Sequence, residues 1–189
     1  MSNYIRVEPI VIYPPCMKAG RAQDCFNCNV QKAGACPSPR GICVAEYKNH
    51  KRGCPNYGKR AYCPPYGPMF DKVFDMTKPF YAITSTHDLG AHVEKMRKRH
   101  PDWTDAQLLN VLYWQGQARK ELRNIIAEFN EEYRRQGYYT TIAPEGMGVD
   151  VTQTLKNAGI HLEWPARQTV YKVAIAGIPI DETYMKILT

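Results

Sequence analysis

The segment from Gly53 to Met69, GCPNYGKRAYCPPYGPM, constrains the fold more than any other stretch of the chain. Cys54 and Cys63 are each followed by proline, and Gly58, Gly67, Pro65 and Pro68 mark turns between and after them. Glycine admits positive φ and proline fixes φ near one value, so such a stretch is rigid without being helix or strand. A rigid loop presenting thiols is what a soft metal ion or an iron–sulfur cluster needs.

The irregular region is wider than this segment. Pro14 to Pro68 holds eight prolines and no sustained hydrophobic period, and all seven cysteines fall between Cys16 and Cys63. A loop of that length is hard to hold by packing alone, and metal ligation is the natural staple. The start, MSNYIRVEPIVIYPPC, lacks a basic stretch followed by an apolar one and a small-residue cleavage site, which predicts a cytoplasmic chain without a signal peptide. Thiols stay reduced in that compartment. An odd number of clustered cysteines there reads as metal ligands or catalytic thiols rather than disulfides. No apolar run approaches the roughly 18 residues of a membrane span.

Charge is segregated in the same way. Residues 1–68 carry 10 Lys and Arg against 3 Asp and Glu, while residues 69–189 carry 15 of each, so the whole net charge of +7 sits with the cysteines. One reading is compensation, because ligating cysteines are thiolates and basic neighbours favour that form. The other is a polyanion partner such as RNA. Compensation is the more economical of the two.

With 189 residues, 44% of them hydrophobic, the chain has enough apolar material for one domain. We read residues 1–68 as an N-terminal strand plus the cysteine-rich region and residues 69–189 as a scaffold, together forming one compact unit. Residues 4–13 read as a strand that Pro9 confines to an edge or a bulge. Met69–Met76 reads as a short helix, 79–86 as a strand, and the basic HVEKMRKRH (92–100) as a solvated helix face rather than a phosphate contact. One long helix is predicted from Thr104 to Gln136. Thr104 and Gln107 form a capping box, Leu108, Val111, Gln115, Ala118, Leu122, Ile125, Phe129 and Tyr133 form one stripe, and Gly137 ends it. Tyr113 and Trp114 read as core. A strand over 138–142, the loop APEGMG, a helix over 149–158 closed by Gly159, an extended piece at 161–165 and a strand over 169–178 complete the chain. The alternation predicts an α/β or α+β fold, a small sheet with packed helices and the cysteine-rich region at one end.

The cysteines are Cys16, Cys25, Cys28, Cys36, Cys43, Cys54 and Cys63. Cys25 and Cys28 make a C-x-x-C pair, and Cys36, Cys54 and Cys63 each precede proline, as the last ligand of a bacterial ferredoxin run does. Structural zinc usually needs two short knuckles, and the second is missing here unless His50 or His100 substitutes. The spacing therefore favours iron–sulfur over zinc. Two divisions stand open: one places Cys16, Cys25, Cys28 and Cys36 on one 4Fe–4S cluster and Cys43, Cys54 and Cys63 on a second with one iron open. The alternative is a single four-cysteine cluster with three ordinary thiols.

The segment CPNYGKRAYCPP resembles the signature C-x-x-Y-G-x-x-x-x-C-P-P of a prokaryotic family described as predicted metal-binding proteins. EGMGVDVTQTLKNAGIHLE (145–163) is similar to that family's C-terminal pattern, and Cys25-x-x-Cys28 with Cys36-Pro37 resembles its second cysteine group. Two features depart: that group here precedes the Cys-Pro-Pro motif, and Lys51 stands where a further cysteine is expected. The resemblance covers about a third of the chain and implies a metal or iron–sulfur centre, typical of anaerobes, without fixing a reaction.

These observations lead to an iron–sulfur protein of redox metabolism that passes electrons or assists a partner enzyme. A second reading is an enzyme of sulfur transfer or desulfuration working at an open iron, with Asp150, Glu145, His161 or Tyr66 as acid–base groups. A third is a zinc-stabilised RNA-binding module in which Tyr57, Tyr62 and Tyr66 stack on bases beside Lys59 and Arg60. No Walker loop, dinucleotide fingerprint or Ser/His/Asp constellation is visible.

Overall fold

The computed structural model describes residues 3–14, 36, 38–45 and 53–188. Its centre is a four-stranded sheet in the order β1-β2-β4-β3, with β1 Tyr4–Val7, β2 Phe80–Asp88, β3 Tyr139–Thr141 and β4 Thr169–Gly177. Every pairing is antiparallel, so of the two fold classes expected the chain takes α+β. The longest register joins β2 to β4 and sets Ile83 opposite Ala174 and Thr84 opposite Val173. β1 lies at an edge, one of the two placements expected, but it stops at Val7, before Pro9, rather than running to residue 13. Beyond Pro9 the chain touches the rest through a bridge from Val11 to Val149, flanked by Ile12 N–H to Gly148 O and Asp150 N–H to Ile10 O, each 2.8 Å.

Successive strand residues point to opposite faces, and here both faces are covered. Val7, Phe80, Ala82 and Ile175 join Phe70, Val73, Phe74, Met147 and Leu155 in one core. Ile83, Ala174 and Ala176 join Leu122, Ile126, Phe129 and Tyr138 in the other. A sheet buried on both sides explains why TVYKVAIAG reads as an almost continuous apolar run. The first face is closed by α1 (Phe70–Val73), and α2 (Leu89–Arg99) follows β2 directly.

The predicted helix over 104–136 is broken into three. The capping box at Thr104 and Gln107 forms, but α3 covers only Asp105–Leu108; a 3-10 turn at Val111–Tyr113 follows, and α4 runs from Gln115 to Tyr133. The break has a local cause. The Asn110 side chain accepts the Leu112 N–H at 3.1 Å, offering the backbone an alternative to the helical bond. Trp114 is then buried, its indole N–H reaching Leu109 O at 3.4 Å, while Val111 and Tyr113 are left 45% and 51% exposed. Tyr113 is therefore surface rather than core. A 3-10 turn at Arg134–Gln136 prolongs α4, and Gly137 ends it at φ +86°, as its position predicted. The last helix, α5, spans Val151–Asn157.

The basic stretch 92–100 lies largely on α2 with Glu94, Lys95, Arg97, Lys98 and Arg99 exposed, and Arg97 pairs with Asp105 at 2.8 Å. That is the solvated helix face expected of it. Among the described residues no helix is long and apolar enough to cross a membrane.

Candidate metal centre

Four cysteines lie among the described residues: Cys36, Cys43, Cys54 and Cys63, all half-buried. Cys16, Cys25 and Cys28 lie outside them, as does His50. His100, the other histidine considered for zinc, stacks on Trp103 at 4.0 Å at the end of α2.

Cys43 ends the 3-10 turn Pro39–Cys43. Cys54 is joined to it directly, its N–H donating to Cys43 O at 2.9 Å. Gly53 makes that approach possible: it stands at φ +73°, and a Cβ there would come within 2.7 Å of the same carbonyl oxygen. The following loop closes on itself through short backbone bonds. Tyr57 N–H reaches Cys54 O, Gly58 N–H reaches Pro64 O, Cys63 N–H reaches Arg60 O and Gly67 N–H reaches Cys63 O, at 2.7 to 3.1 Å. Cys54 and Cys63 thus belong to one turn-rich body whose own hydrogen bonds hold it. Cys36 lies over the start of the turn that Cys43 ends, its Cβ 2.7 Å from where a Cβ on Gly41 would stand.

Arg40 ties these pieces together. It is 2% exposed and donates from Nη1 to Met69 Sδ at 3.1 Å and from Nη2 to the carbonyls of Pro65 and Gly67 at 3.2 and 2.9 Å. The turn bearing Cys43 is thereby pinned to the chain just past Cys63. In sequence Arg40 was one positive charge among ten in its region, and nothing in its neighbours marks it as the buried one.

A fourth piece comes from far along the chain. The 3-10 turn Glu145–Met147 follows β3 and packs against the turn Pro39–Cys43. A Cβ at Gly146 would lie 3.2 Å from Tyr62 O and 3.8 Å from Pro64 Cδ, so this turn also rests on the residues either side of Cys63.

The thiols sense one another. Burial pushes the Cys43 thiol up to about 12, with Cys54, Cys63 and Glu145 adding to the rise and Arg40 opposing it. Cys63 is also raised, first by burial and then by Cys54, against the pull of Arg60. The Glu145 side chain reaches solvent, yet the protein crowded around it raises its carboxyl by desolvation, with Lys172 acting the other way. Among the described residues no three Cys, His, Asp or Glu side chains converge on a point that would hold one metal ion.

That distinction bears on the metal. A tetrahedral zinc site gathers its donors at about 2.3 Å from a single ion. An iron–sulfur cluster is held by thiolates bound to different irons, so its donors surround a volume instead of meeting at a point. The thiols of Cys43, Cys54 and Cys63 are soft donors that either kind of centre would use. The family model described as predicted metal-binding protein (DUF2284) matches residues 43–143, just over half of the chain. The chain belongs to this family. No curated protein and no solved structure matches it. The DUF2284 match begins at Cys43 and contains Cys54 and Cys63, but neither Cys36 nor the cysteines before it. It ends at residue 143, two short of the Glu145 turn that packs on the cysteine loop.

The other candidate groups are dispersed in this DUF2284 chain. The Asp150 carboxylate accepts the Gln153 N–H at 2.9 Å and caps α5. His161 is exposed. Tyr66 is 78% exposed, whereas Tyr57 and Tyr62 are half-buried and the Tyr62 hydroxyl accepts from Arg60 at 3.1 Å.

Proposed function

We propose that the protein is an iron–sulfur protein of redox metabolism in which Cys43, Cys54 and Cys63 hold irons of one 4Fe–4S cluster. The observation that carries this reading is that Cys43, Cys54 and Cys63 sit on turns tied to one another, Cys54 N–H donating to Cys43 O and Arg40 pinning the Cys43 turn to the chain just past Cys63, within the residues that the family model matches. A bound cluster supplies one-electron transfer, to a partner redox protein or enzyme. The chain's own residues prepare for it. Arg40 holds the Cys43 turn against the Pro65–Gly67 carbonyls and favours the thiolate form of Cys43.

The test is iron, zinc and acid-labile sulfide content of anaerobically purified protein, together with its visible absorption. A brown protein with equal iron and sulfide, about four of each per cluster, supports the reading. About eight irons would place a second cluster on Cys16, Cys25, Cys28 and Cys36. A colourless protein holding zinc alone overturns it.

A further inference from the structure

Leu89, Trp114 and Ala118 form a small core apart from the two that cover the sheet, with Val93 of α2 and Val170 of β4 packed against it. Two histidines stand beside it. His87 of β2 stacks on the Trp114 ring, centroids 5.4 Å apart and planes 13° from parallel. His92 of α2 comes next, its ring 6.1 Å from that of His87. Nε2 of each imidazole is shut off from solvent and meets no hydrogen-bond partner among the described residues. A neutral imidazole tolerates this, because one of its two nitrogens carries no hydrogen. A protonated one does not: both nitrogens then donate, and a buried N–H without an acceptor is costly, the more so with a charge on it.

The charged groups around the pair do not relieve that cost. Lys95 lies one turn further along α2, and Lys172 of β4 holds its Nζ 5.5 Å from the centre of the Trp114 ring, with Arg119 of α4 acting on it. The acids of these elements are engaged or exposed: the Asp88 carboxylate accepts the Ala91 N–H at 2.7 Å, Asp105 of α3 pairs with Arg97, and Glu94 faces solvent. Meanwhile α2 is lightly held, since of its residues Leu89 alone is buried. An element with so little buried surface opens locally before the sheet does. We infer that His87 and His92 form an acid-sensitive latch, in which protonation of His92 beside His87 frees α2 from the Trp114 core while the sheet stays folded. Burial, then His87 and Lys95, already hold the His92 pKa below the usual histidine value. The contribution of the latch is therefore complete above about pH 6.5, where the unfolded ring is neutral, and is lost as pH falls from there through the folded value.

The experiment is amide hydrogen exchange on the full chain, corrected for the intrinsic rate. Between about pH 7.5 and about pH 5.5 the α2 amides of the wild type should lose up to about tenfold in protection, the most that one histidine can supply over that interval, while β2 and β4 keep theirs. His92→Gln should hold the protection of α2 constant across the same interval. His100→Gln, whose ring stacks on Trp103 at the other end of α2, should respond as the wild type does. A proton NMR titration of the wild type supplies a reading that needs no variant: the His92 ring should titrate below the usual value of about 6.5. Protection of α2 that is constant in the wild type, or still lost in His92→Gln, overturns the latch. So does a loss shared by β2 and β4, or a His92 ring that titrates at the usual value or above it.

Discussion

Arg40 Nη2 donates to the carbonyl oxygen of Gly67 across 2.9 Å, inside a region from which solvent is almost wholly excluded. The same nitrogen reaches Pro65 O, so one charged fork satisfies two loop carbonyls that would otherwise be buried without donors. Arg40→Ala should therefore lower stability by about 2–4 kcal/mol, measured as the shift in a denaturant midpoint, and should reduce bound metal in the same preparation. Arg40→Lys should recover little of either, because an ammonium cannot reproduce the planar fork. A variant of wild-type stability and metal content would remove Arg40 from the architecture of the site.

The Tyr13 hydroxyl donates to both oxygens of Asp71, at 2.7 and 2.8 Å. Burial, then this bond, push its pKa up to about 12. A folded-state pKa above the unfolded value of about 10 means that the contribution to stability is complete below pH 10. It is lost as pH rises from there towards about 12. In a spectrophotometric titration of tyrosinate, Tyr13→Phe should delete one phenol from the late part of the curve. Tyr4, raised to about 12 chiefly by its bond to Glu132, should account for another. Loss of a phenol titrating near 10 instead would show that the Tyr13–Asp71 bond is absent in solution.

Two glycines should respond to alanine for different reasons. Gly177 ends β4 under two aromatic rings, and an added Cβ would collide with Phe80 and lie 2.9 Å from Phe74 Cδ1. Gly159 has open space around it but stands at φ +85°. Gly177→Ala should cost about 3 kcal/mol through overpacking and Gly159→Ala about 1 kcal/mol through backbone strain. Thermal or denaturant unfolding gives the order, and a reversed order would mean that the core around Phe74 and Phe80 is looser than described.

Asp150 is a cap, so its substitution should read out in helix stability and nowhere else. Asp150→Ala should cost about 1 kcal/mol, and Asp150→Asn, an equally good cap, almost nothing. Bound metal should be unchanged in both. A loss of metal in Asp150→Asn would return this residue to the candidate site groups.

Much of the scaffold was legible because its signals are local. The capping box at Thr104, the terminator at Gly137 and the strand at 169–178 each follow from a few neighbouring residues. The long helix was legible from Gln115 to Gln136, but its start was misread because its stripe tolerates Val111 and ignores the competing bond that Asn110 offers at 3.1 Å. The cysteines were legible as candidate ligands by residue type. Their setting was not, because it depends on contacts that span the chain: Arg40 on Gly67, and Gly146 on Tyr62. No spacing rule connects those pairs.

The strand that pairs with both β2 and β3 is β4, which follows them both in sequence. During synthesis the ribosome therefore releases every cysteine, and then two strands that cannot zip to each other, before the strand that joins them exists. Sheet closure waits for residues 169–177, and the Glu145 turn reaches its place against the cysteine loop only as β3 is locked to β4. Thiols made early and a platform finished late put a temporal order on folding: every cysteine is synthesised before the strand that closes the sheet.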